Sequence, residues 1–588
     1  MAQKLPATDV VIVGLGWTGA ILAEQLTAAG LRVTAIERGP WRDTATDFPP
    51  SYAPDELRYA VRQELFLRPA QETLTFRNKM SETALPIRTF GSFLPGNGVG
   101  GAGTHWNGQC WRFLEKDFTV RSHLVERYGA KFLPEDMTIQ DWGITFGELE
   151  PFYDQFEYMA GISGKAGNLR GRRQPGGNPH EGPRSREYPM PPLQMTYAPT
   201  LFAKAAREMG YNPFPCPAGN ASQAYTNTLG VTMGPCTYCG FCERFGCGNY
   251  SKSSPQTTIL PVLSRRANFT VRTNSEVLKV LTDAAGKRAT GVTFVDSQGV
   301  EWEQPAEIVL LCAYQFHNVR LMLLSGIGQP YDPKTGEGVV GRNYCYQTGA
   351  GAQLFFEGKS MNPFIGAGAL QQVIDDFNGD NFDHGPLGFA GGGSMSCATT
   401  NGRPILYRPT APGAPRWGSA WKQAAIDGYQ NAAGIGSQGS SYAYRDAYLD
   451  LDPGYTDRFG RPLLRMTFDW HDNERKAAAF ATQRAVEIGR AMGAKQVLPR
   501  NLSDHYSVVP YQSTHTTGGA VMGDNPKTSA VNRYLQSWDV PNLFSIGASA
   551  FPQNHGYNPT GTVGALAYWA AEAIKTKYLK SPGALVPA

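Results

Sequence analysis

The chain has 588 residues, of which 41% are apolar and 18% charged, and its formal net charge at pH 7 is +4. This length predicts more than one domain, and the low charge and 11% aromatic content exclude a chain that is disordered throughout. The small positive charge comes without a lysine-rich stripe, which argues against a nucleic-acid partner.

The sequence contains no apolar run long enough to cross a bilayer. Residues Met1 to Asp9 are short and polar, with neither an apolar signal segment nor a twin-arginine pair. Taken alone, this start predicts a cytoplasmic protein. Export in complex with a signal-bearing partner is the alternative.

The first forty residues predict a strand, a tight turn, a helix and a second strand. Val10 to Val13 is a continuous apolar run, as in a strand buried on both faces. Ala20 to Leu26 has a helical pattern, and Leu31 to Ile36 predicts the second strand, which ends at Glu37. This order is typical of a nucleotide-binding βαβ unit.

The middle of the chain alternates between loops and regular elements. Gly164 to Pro192 is rich in Gly, Pro and Arg, which predicts a long surface excursion rather than a packed element. Phe269 to Leu311 predicts several short strands with a turn at Ala285 to Lys287. Arg320 to Ser325 predicts the end of a helix closed by glycine.

The glycines after the first strand match the Gly-x-Gly-x-x-Gly fingerprint of dinucleotide binding. Gly14 permits the tight turn, Gly16 lets the backbone approach a pyrophosphate, and Gly19 lets helix and strand pack closely. Glu37 follows eighteen residues after the last glycine, where an acid accepts hydrogen bonds from the adenosine ribose. The fingerprint alone does not distinguish NAD from FAD, and an ordinary glycine-rich turn is the alternative.

Three further motifs, together with the fingerprint, resemble the glucose–methanol–choline (GMC) oxidoreductase family in order and across nearly the whole chain. They are Gly-Val-Gly-Gly-Ala-Gly-Thr-His-Trp-Asn-Gly at 98–108, His-Thr-Thr-Gly-Gly-Ala-Val-Met-Gly at 515–523, and the segment 542–562. The resemblance implies an α/β fold with a Rossmann-like FAD-binding domain and an α+β substrate domain that contains an antiparallel sheet.

The resemblance also implies that the FAD-binding domain is assembled from separate pieces of the chain. The expected segments are an FAD-binding part at 1–150, a substrate-side excursion at 151–230, a cysteine segment at 231–255, a second FAD-binding part at 256–345, the substrate domain at 346–500, and a third FAD-binding part with the catalytic residues at 501–588.

Two residues near the C-terminus are the expected catalytic pair. The resemblance implies that His515 is the general base and that Asn558 hydrogen-bonds the substrate hydroxyl. Histidine suits this role because its ordinary pKa lies near working pH, and an amide orients a neutral alcohol without adding charge. The flavin takes the hydride. A loop histidine satisfied by backbone is the alternative for His515.

The same motifs imply a set of flavin contacts. Besides the fingerprint residues, the expected contacts are Gly100, Gly101, Thr104, His105, Asn107, Gly547, Ala548, Pro559 and Thr560. Many family members carry an acid where this chain has Ala548, so we expect backbone groups of Gly547 and Ala548 to make the contact there. Thr104-His105-Trp106 resembles the flavin-attachment motif of pyranose 2-oxidases; a covalent bond from His105 and noncovalent packing are the alternatives.

Four cysteines at 236–247 have the spacing Cys-x-x-Cys-x-x-Cys-x-x-x-x-Cys. Cys236, Cys239, Cys242 and Cys247 are too dense for a disulfide framework but suit thiolates that converge on one metal centre. The spacing is near that of bacterial ferredoxins, with the last gap one residue longer and no following proline. Four thiolates also suit structural zinc, but a flavin context favours an iron–sulfur cluster that relays single electrons.

Within the family, the fingerprint and the Thr-His-Trp segment most resemble flavoprotein subunits of membrane-bound gluconate-oxidising dehydrogenases. The resemblance implies a 3Fe-4S rather than a 4Fe-4S cluster, a cytochrome c subunit, and a small subunit that carries the export signal. It implies the periplasmic face of the cytoplasmic membrane, with membrane association through partners only. D-gluconate oxidised to 2-keto-D-gluconate is the expected reaction.

Other functions remain open at this point. A related dehydrogenase of glucose, fructose or sorbitol would use the same residues, and a pyranose-oxidase-like sugar oxidase would not need the cysteines. A nonenzymatic redox-sensing protein would not need the His515 and Asn558 pair.

Overall fold

The computed structural model describes residues 2–48, 53–88, 93–399 and 403–587. Its strands are β1 Gln3–Lys4, β2 Thr8–Val13, β3 Val33–Ile36, β4 Thr75–Arg77, β5 Leu85–Pro86, β6 Asn168–Leu169, β7 Arg172–Arg173, β8 Phe214–Pro215, β9 Tyr225–Thr226, β10 Thr232–Met233, β11 Phe269–Arg272, β12 Glu276–Thr282, β13 Ala289–Val295, β14 Glu301–Leu311, β15 Thr348–Phe355, β16 Gln371–Ile374, β17 Gly393–Ala398, β18 Ala432–Gly439, β19 Tyr448–Thr456, β20 Pro462–Thr467, β21 Gln496–Arg500 and β22 Leu543–Ser545.

The α-helices are α1 Trp17–Ala28, α2 Thr44–Asp47, α3 Val120–Tyr128, α4 Phe146–Ala160, α5 Tyr197–Glu208, α6 Pro255–Thr258, α7 Leu260–Leu263, α8 Gln315–Ser325, α9 Gly418–Asn431, α10 Asp472–Ala491 and α11 Thr560–Ala573. The predicted end of a helix at Ser325 is confirmed: α8 is closed by Gly326, whose φ is 67°. In the part of the chain that the structure describes, no helix combines the length and apolar character needed to cross a bilayer.

The nucleotide-type sheet joins strands from the two ends and the middle of the chain. Its parallel part runs β11, β3, β2 and β14, and β22 also pairs with β14 in parallel. Strand β2 lies between two neighbours, so its run Val10–Val13 is at most 4% exposed. This arrangement explains why the strand is apolar on both faces.

The second large sheet is antiparallel, and it lies in the region where the sequence predicts a substrate domain. Its order is β21, β15, β18, β17, β16 and β8. Helices α5 and α10 pack on it through an apolar cluster that includes Phe202, Leu354, Ile435 and Ile488. The predicted fold class, a Rossmann-like sheet with a second antiparallel sheet, is therefore confirmed.

The predicted surface excursion at Gly164 to Pro192 is in part wrong. Arg184 is only 1% exposed, and it pairs with Glu157 of α4, which also binds Arg112 at 2.8 Å. A charge without water is stable only when it is paired, and here one carboxylate lies between two guanidinium groups. The segment is loop-like in backbone but partly packed.

Candidate active site and cysteine pocket

One large cavity, about 2050 Å³ including its open mouth, lies over the carboxyl ends of β2, β3 and β14. Gly14 and Gly16 line it, and α1 begins at Trp17 directly after them. A Cβ on Gly16 would meet nothing nearer than 3.9 Å, so open space lies against its backbone. A helix N-terminus facing an open cavity suits a pyrophosphate.

Glu37 lies at the end of β3 and also lines the cavity. Its two carboxylate oxygens accept hydrogen bonds from the backbone N–H groups of Leu15 and Gly39, both at 2.9 Å. The carboxylate therefore holds the fingerprint loop in place. Each oxygen keeps a further lone pair that can accept a ribose hydroxyl.

The second glycine-rich motif forms the next wall. Gly101, His105 and Asn107 line the cavity. Gly100 donates its N–H to Leu15 O at 2.7 Å, and Thr104 hydrogen-bonds Gln256 behind the wall. The motif thus joins the fingerprint loop to the rest of the cavity.

His105 is buried, with 4% of its surface exposed. Its Nε2 has no hydrogen-bond partner among the residues that the structure describes. Burial, with a smaller contribution from the charge of Lys252, lowers the pKa of His105 to about 3, so the imidazole is neutral. A neutral ring that lines the cavity and has a buried nitrogen without a hydrogen-bond partner suits a bond to a cofactor.

The C-terminal motifs close the opposite side of the cavity. Gly547, Ala548, Pro559 and Thr560 line it, and Thr560 is the first residue of α11. Gly547 has φ 124°, a conformation that favours glycine. A second helix N-terminus therefore points toward the cavity.

His515 and Asn558 meet in this cavity. The Nδ2 of Asn558 lies 3.2 Å from the Nε2 of His515, although the residues are 43 positions apart. Burial alone lowers the pKa of His515 to about 3. Because a lowered histidine pKa favours the neutral form, the ring is unprotonated at neutral pH.

Two residues that the sequence analysis did not single out hold this pair. Gln347 accepts a hydrogen bond from the Nδ1 side of His515, and Trp111 donates to Asn558 Oδ1 at 3.2 Å. Trp111 also stacks on Tyr557 with ring centroids 4.7 Å apart. No local motif marks either residue, because each contact joins distant parts of the chain.

The expected flavin contacts divide into two groups. Ten of them line the cavity: Gly14, Gly16, Glu37, Gly101, His105, Asn107, Gly547, Ala548, Pro559 and Thr560. The other three, Gly19, Gly100 and Thr104, lie behind its wall. A Cβ on Gly19 would lie 2.1 Å from Gly14 O, so this glycine permits the close packing of helix and strand that its position predicts.

The four clustered cysteines line one small pocket. Cys242 is buried and the other three are partly buried. Tyr238 donates its N–H to Cys236 Sγ at 3.4 Å, and Asn220 Nδ2 lies 3.6 Å from Cys242 Sγ. As the side chains stand, no three acid, histidine or cysteine groups among the described residues are close enough to hold one metal ion.

The cysteine pocket lies directly behind the wall of the large cavity. Cys242 lines the pocket, whereas the next two residues, Glu243 and Arg244, line the cavity. Arg244 donates its N–H to His105 O at 2.9 Å. The buried Lys252 donates to the backbone oxygens of Trp106 and Cys242, both at 2.8 Å. The two sites thus share one layer of backbone.

Family models for GMC oxidoreductases match residues 198–348 and 443–567, and the gluconate 2-dehydrogenase flavoprotein of Pantoea cypripedii is 50% identical over the whole chain and 97% of its own length. The chain belongs to the GMC oxidoreductase family. The resemblance stated from the motifs is therefore confirmed. As a member of the family, the protein is an FAD-dependent oxidoreductase that acts on CH–OH donors.

Two more distant comparisons agree with this assignment. The fructose dehydrogenase large subunit of Gluconobacter japonicus is 25% identical over 98% of this chain and 99% of its own length. The structure of pyridoxine 4-oxidase from Mesorbium loti superimposes with a TM-score of 0.56 at 17% identity, covering 96% of this chain and 98% of that one. At this identity, the structural match supports the fold alone.

Proposed function

We propose that this GMC oxidoreductase is the flavoprotein subunit of a dehydrogenase that oxidises gluconate to 2-keto-gluconate and exports the electrons through its cysteine segment. The observation that carries the relay is the shared wall, where Cys242 faces the cysteine pocket and Arg244 faces the active-site cavity. The full-length similarity to a gluconate 2-dehydrogenase flavoprotein supports the substrate.

The cavity residues fit FAD and the expected chemistry. The two helix N-termini and the glycine backbone would hold the pyrophosphate and the isoalloxazine ring, and the bound flavin would supply the hydride acceptor. His515 accepts the hydroxyl proton at Nε2, while Asn558 orients the substrate oxygen. Removing the hydroxyl proton makes the substrate carbon a better hydride donor.

The carboxylate of gluconate needs a cationic partner, and Arg244 is our candidate. Its guanidinium lies 4.6 Å from the ring centroid of Tyr511, four residues before His515, and both line the cavity. Its Nε has no hydrogen-bond partner in the described part of the chain, and the nearest paired carboxylate oxygen, Glu243 Oε1, is 3.8 Å away. Arg403, Arg408 and Arg445, which the sequence places in the expected substrate region, do not line the cavity.

The other cavity arginines are bound more closely to carboxylates than Arg244 is to Glu243. Arg38 and Arg320 pair with Glu72, and Arg461 pairs with Asp457 at 2.7 Å. A guanidinium with a free N–H group is better placed to bind an incoming carboxylate than one already bound to a carboxylate. This difference favours Arg244 for substrate recognition.

Replacing Arg244 with glutamine should raise the KM for gluconate by about 10- to 100-fold, because a hydrogen bond to a charged group is lost. The KM for a neutral sugar such as glucose should change little. A panel of aldonates, aldoses and polyols with a small dye acceptor, run with and without oxygen, measures this. An equal change for neutral and anionic substrates would exclude Arg244 as the carboxylate partner, and a wild-type preference for neutral sugars would contradict the proposed substrate.

The cysteine pocket is proposed to hold an iron–sulfur cluster, with three irons rather than four. The four thiols face one pocket, an N–H group already points at Cys236, and the buried ammonium of Lys252 lies beside Cys242. A nearby positive charge and N–H···S bonds both stabilise an anionic thiolate cluster. Electrons would pass from it to a cytochrome c subunit.

The assembly is proposed to lie on the periplasmic face of the cytoplasmic membrane, attached through its partners. A small subunit would carry the export signal. The similarity to a protein named as a large subunit supports a multi-subunit enzyme.

A covalent bond between His105 and the flavin is proposed from the bare Nε2 on the cavity wall. If it forms, the yellow colour should stay with the protein after acid precipitation. Replacing His105 with alanine should release the colour into the supernatant. Colour that leaves the wild-type protein under the same treatment would show that the flavin is held noncovalently.

A further inference from the structure

The hydrogen bonds around His515 determine which ring nitrogen carries its proton. The Nδ1 contacts Gln347 Oε1, and the Nε2 lies 3.2 Å from Asn558 Nδ2. A neutral imidazole has one N–H donor and one bare acceptor nitrogen. Two tautomers are therefore available, and only a tautomer with a bare Nε2 can take a proton from a substrate in the cavity.

The amide of Gln347 has only one satisfactory orientation. Its Nε2 donates to the backbone oxygens of His555 and Tyr557, both at 3.0 Å. Gln347 is 2% exposed, so water cannot replace these bonds. A reversed amide would place its oxygen against two carbonyl oxygens, which is unfavourable. Oε1 must therefore face His515 as an acceptor, and Nδ1 must carry the hydrogen.

Asn558 gives the same result from the other side of the ring. The indole Nε1 of Trp111 can only donate, and its one N–H is shared between Asn558 Oδ1 at 3.2 Å and Gln109 Oε1 at 3.3 Å. This bond leaves the Nδ2 of Asn558 directed at the Nε2 of His515. Because Nδ2 is a donor, the facing nitrogen must be a bare acceptor. The two sides of the ring thus require the same tautomer.

We infer that Gln347 is a positioning residue that sets the tautomer of His515, with the proton on Nδ1 and Nε2 left as the acceptor that faces Asn558 in the cavity. This inference rests on the proposed role of His515 as the base. In the reaction, Nε2 exchanges its contact with Asn558 for the substrate hydroxyl, the substrate O–H bond breaks and an N–H bond forms at Nε2. The resulting imidazolium keeps its Nδ1–H donated to Gln347.

Burial lowers the pKa of His515, and the two groups that contact its ring nitrogens, Gln347 and Asn558, are neutral amides. The hydroxyls of Tyr314 and Tyr346 donate to the backbone oxygens of Thr514 and Ser513, and burial raises the pKa of each tyrosine, so both are neutral. A neutral amide therefore does here what a carboxylate does in a Ser-His-Asp triad.

His555, whose backbone oxygen Gln347 binds, has its ring 3.0 Å from the carboxylate of Asp117. The tautomer of His515 is thus expected to stay the same across the pH range in which the ring is neutral.

The direct test is solid-state NMR of the flavin-loaded protein with 15N-labelled histidine. Protonated and bare ring nitrogens have well separated shifts, and the chain has only nine histidines. Subtracting the spectrum of His515→Ala isolates the signals of His515. We expect a protonated Nδ1 and a bare Nε2. A proton on Nε2 would overturn the inference, whatever the activity of any variant.

The kinetic test uses Gln347→Met, which keeps the length of the side chain but removes the acceptor. With dye as acceptor, kcat should fall at least about 30-fold with KM little changed, as expected when an oriented base is lost. Gln347→Glu keeps an acceptor oxygen toward Nδ1 but offers at most one hydrogen to the carbonyl oxygens of His555 and Tyr557, so it should recover only part of kcat. Equal kcat for Gln347→Met and the wild type would contradict the inference.

The matched control is Gln353→Met, six residues further along. Gln353 is similarly buried and binds Ala433 O at 2.7 Å, away from the His515 and Asn558 pair. It should keep wild-type kcat. If His515→Ala itself remains active, the proposed base is wrong, but the NMR result on the tautomer still stands or falls separately.

Discussion

Replacing His515 with alanine should lower turnover by about 10²–10⁴-fold while the flavin stays bound. The residue is half-buried on the cavity wall, its ring is neutral, and it lies 3.2 Å from Asn558, so its loss removes the group placed to accept the hydroxyl proton. Stopped-flow reduction of the flavin by substrate measures the loss of turnover. The flavin absorbance of the purified protein shows whether the flavin stays bound. Asn558→Ala should cost less, because that residue orients the substrate without taking its proton.

The matched control for this variant is His505→Ala. His505 lies ten residues earlier, 64% of its side chain is exposed, and it pairs with Asp469. This variant should reduce its flavin at the wild-type rate. Near wild-type flavin reduction by His515→Ala would remove His515 from the catalytic role.

Replacing Cys239 or Cys242 with serine should separate substrate oxidation from electron export. A hard oxygen replaces a soft thiolate, which weakens iron–sulfur ligation. Substrate should still bleach the flavin, and dichlorophenolindophenol, which reaches the flavin directly, should still support turnover. Reduction of a c-type cytochrome should fall steeply. The rates of dye reduction and of cytochrome reduction are measured on the same preparation, together with its iron content.

Structural zinc predicts a different outcome for the same variants. Its loss should destabilise the fold, so that both acceptor assays fail together. A three-iron cluster leaves one cysteine spare, so Cys236 and Cys247 are tested as well. Cys397→Ser, a change outside the cluster in β17, should retain both activities. If every cluster variant keeps its metal and reduces the cytochrome at full rate, the relay is disproved.

The sequence predicts well those elements whose structure is determined by neighbouring residues in the chain. The strand β2, the turn at Gly14 and the helix α1 follow from an apolar run and the glycine spacing, and the structure confirms them. The family motifs also predict which residues surround the cavity. Gly19 shows the limit of such a motif, because it acts through packing rather than by facing the cavity.

The contacts that escape prediction join distant parts of the chain. Gln347 is 168 residues from His515, and Trp111 is 447 residues from Asn558. Nothing in the local pattern of either residue differs from that of an ordinary core side chain. Arg184 was missed for a related reason, because its partner Glu157 lies in α4, outside the glycine- and proline-rich segment that made the region look exposed.

Anaerobic addition of gluconate to the purified flavoprotein tests the central claim most directly. The absorbance spectrum should show the flavin band bleaching within one turnover, followed by loss of the broader iron–sulfur absorbance as electrons move into the cluster. Glucose at the same concentration should produce little change. A flavin that stays oxidised in gluconate, or a protein without any absorbance beyond that of flavin, would contradict the proposed dehydrogenase and its relay.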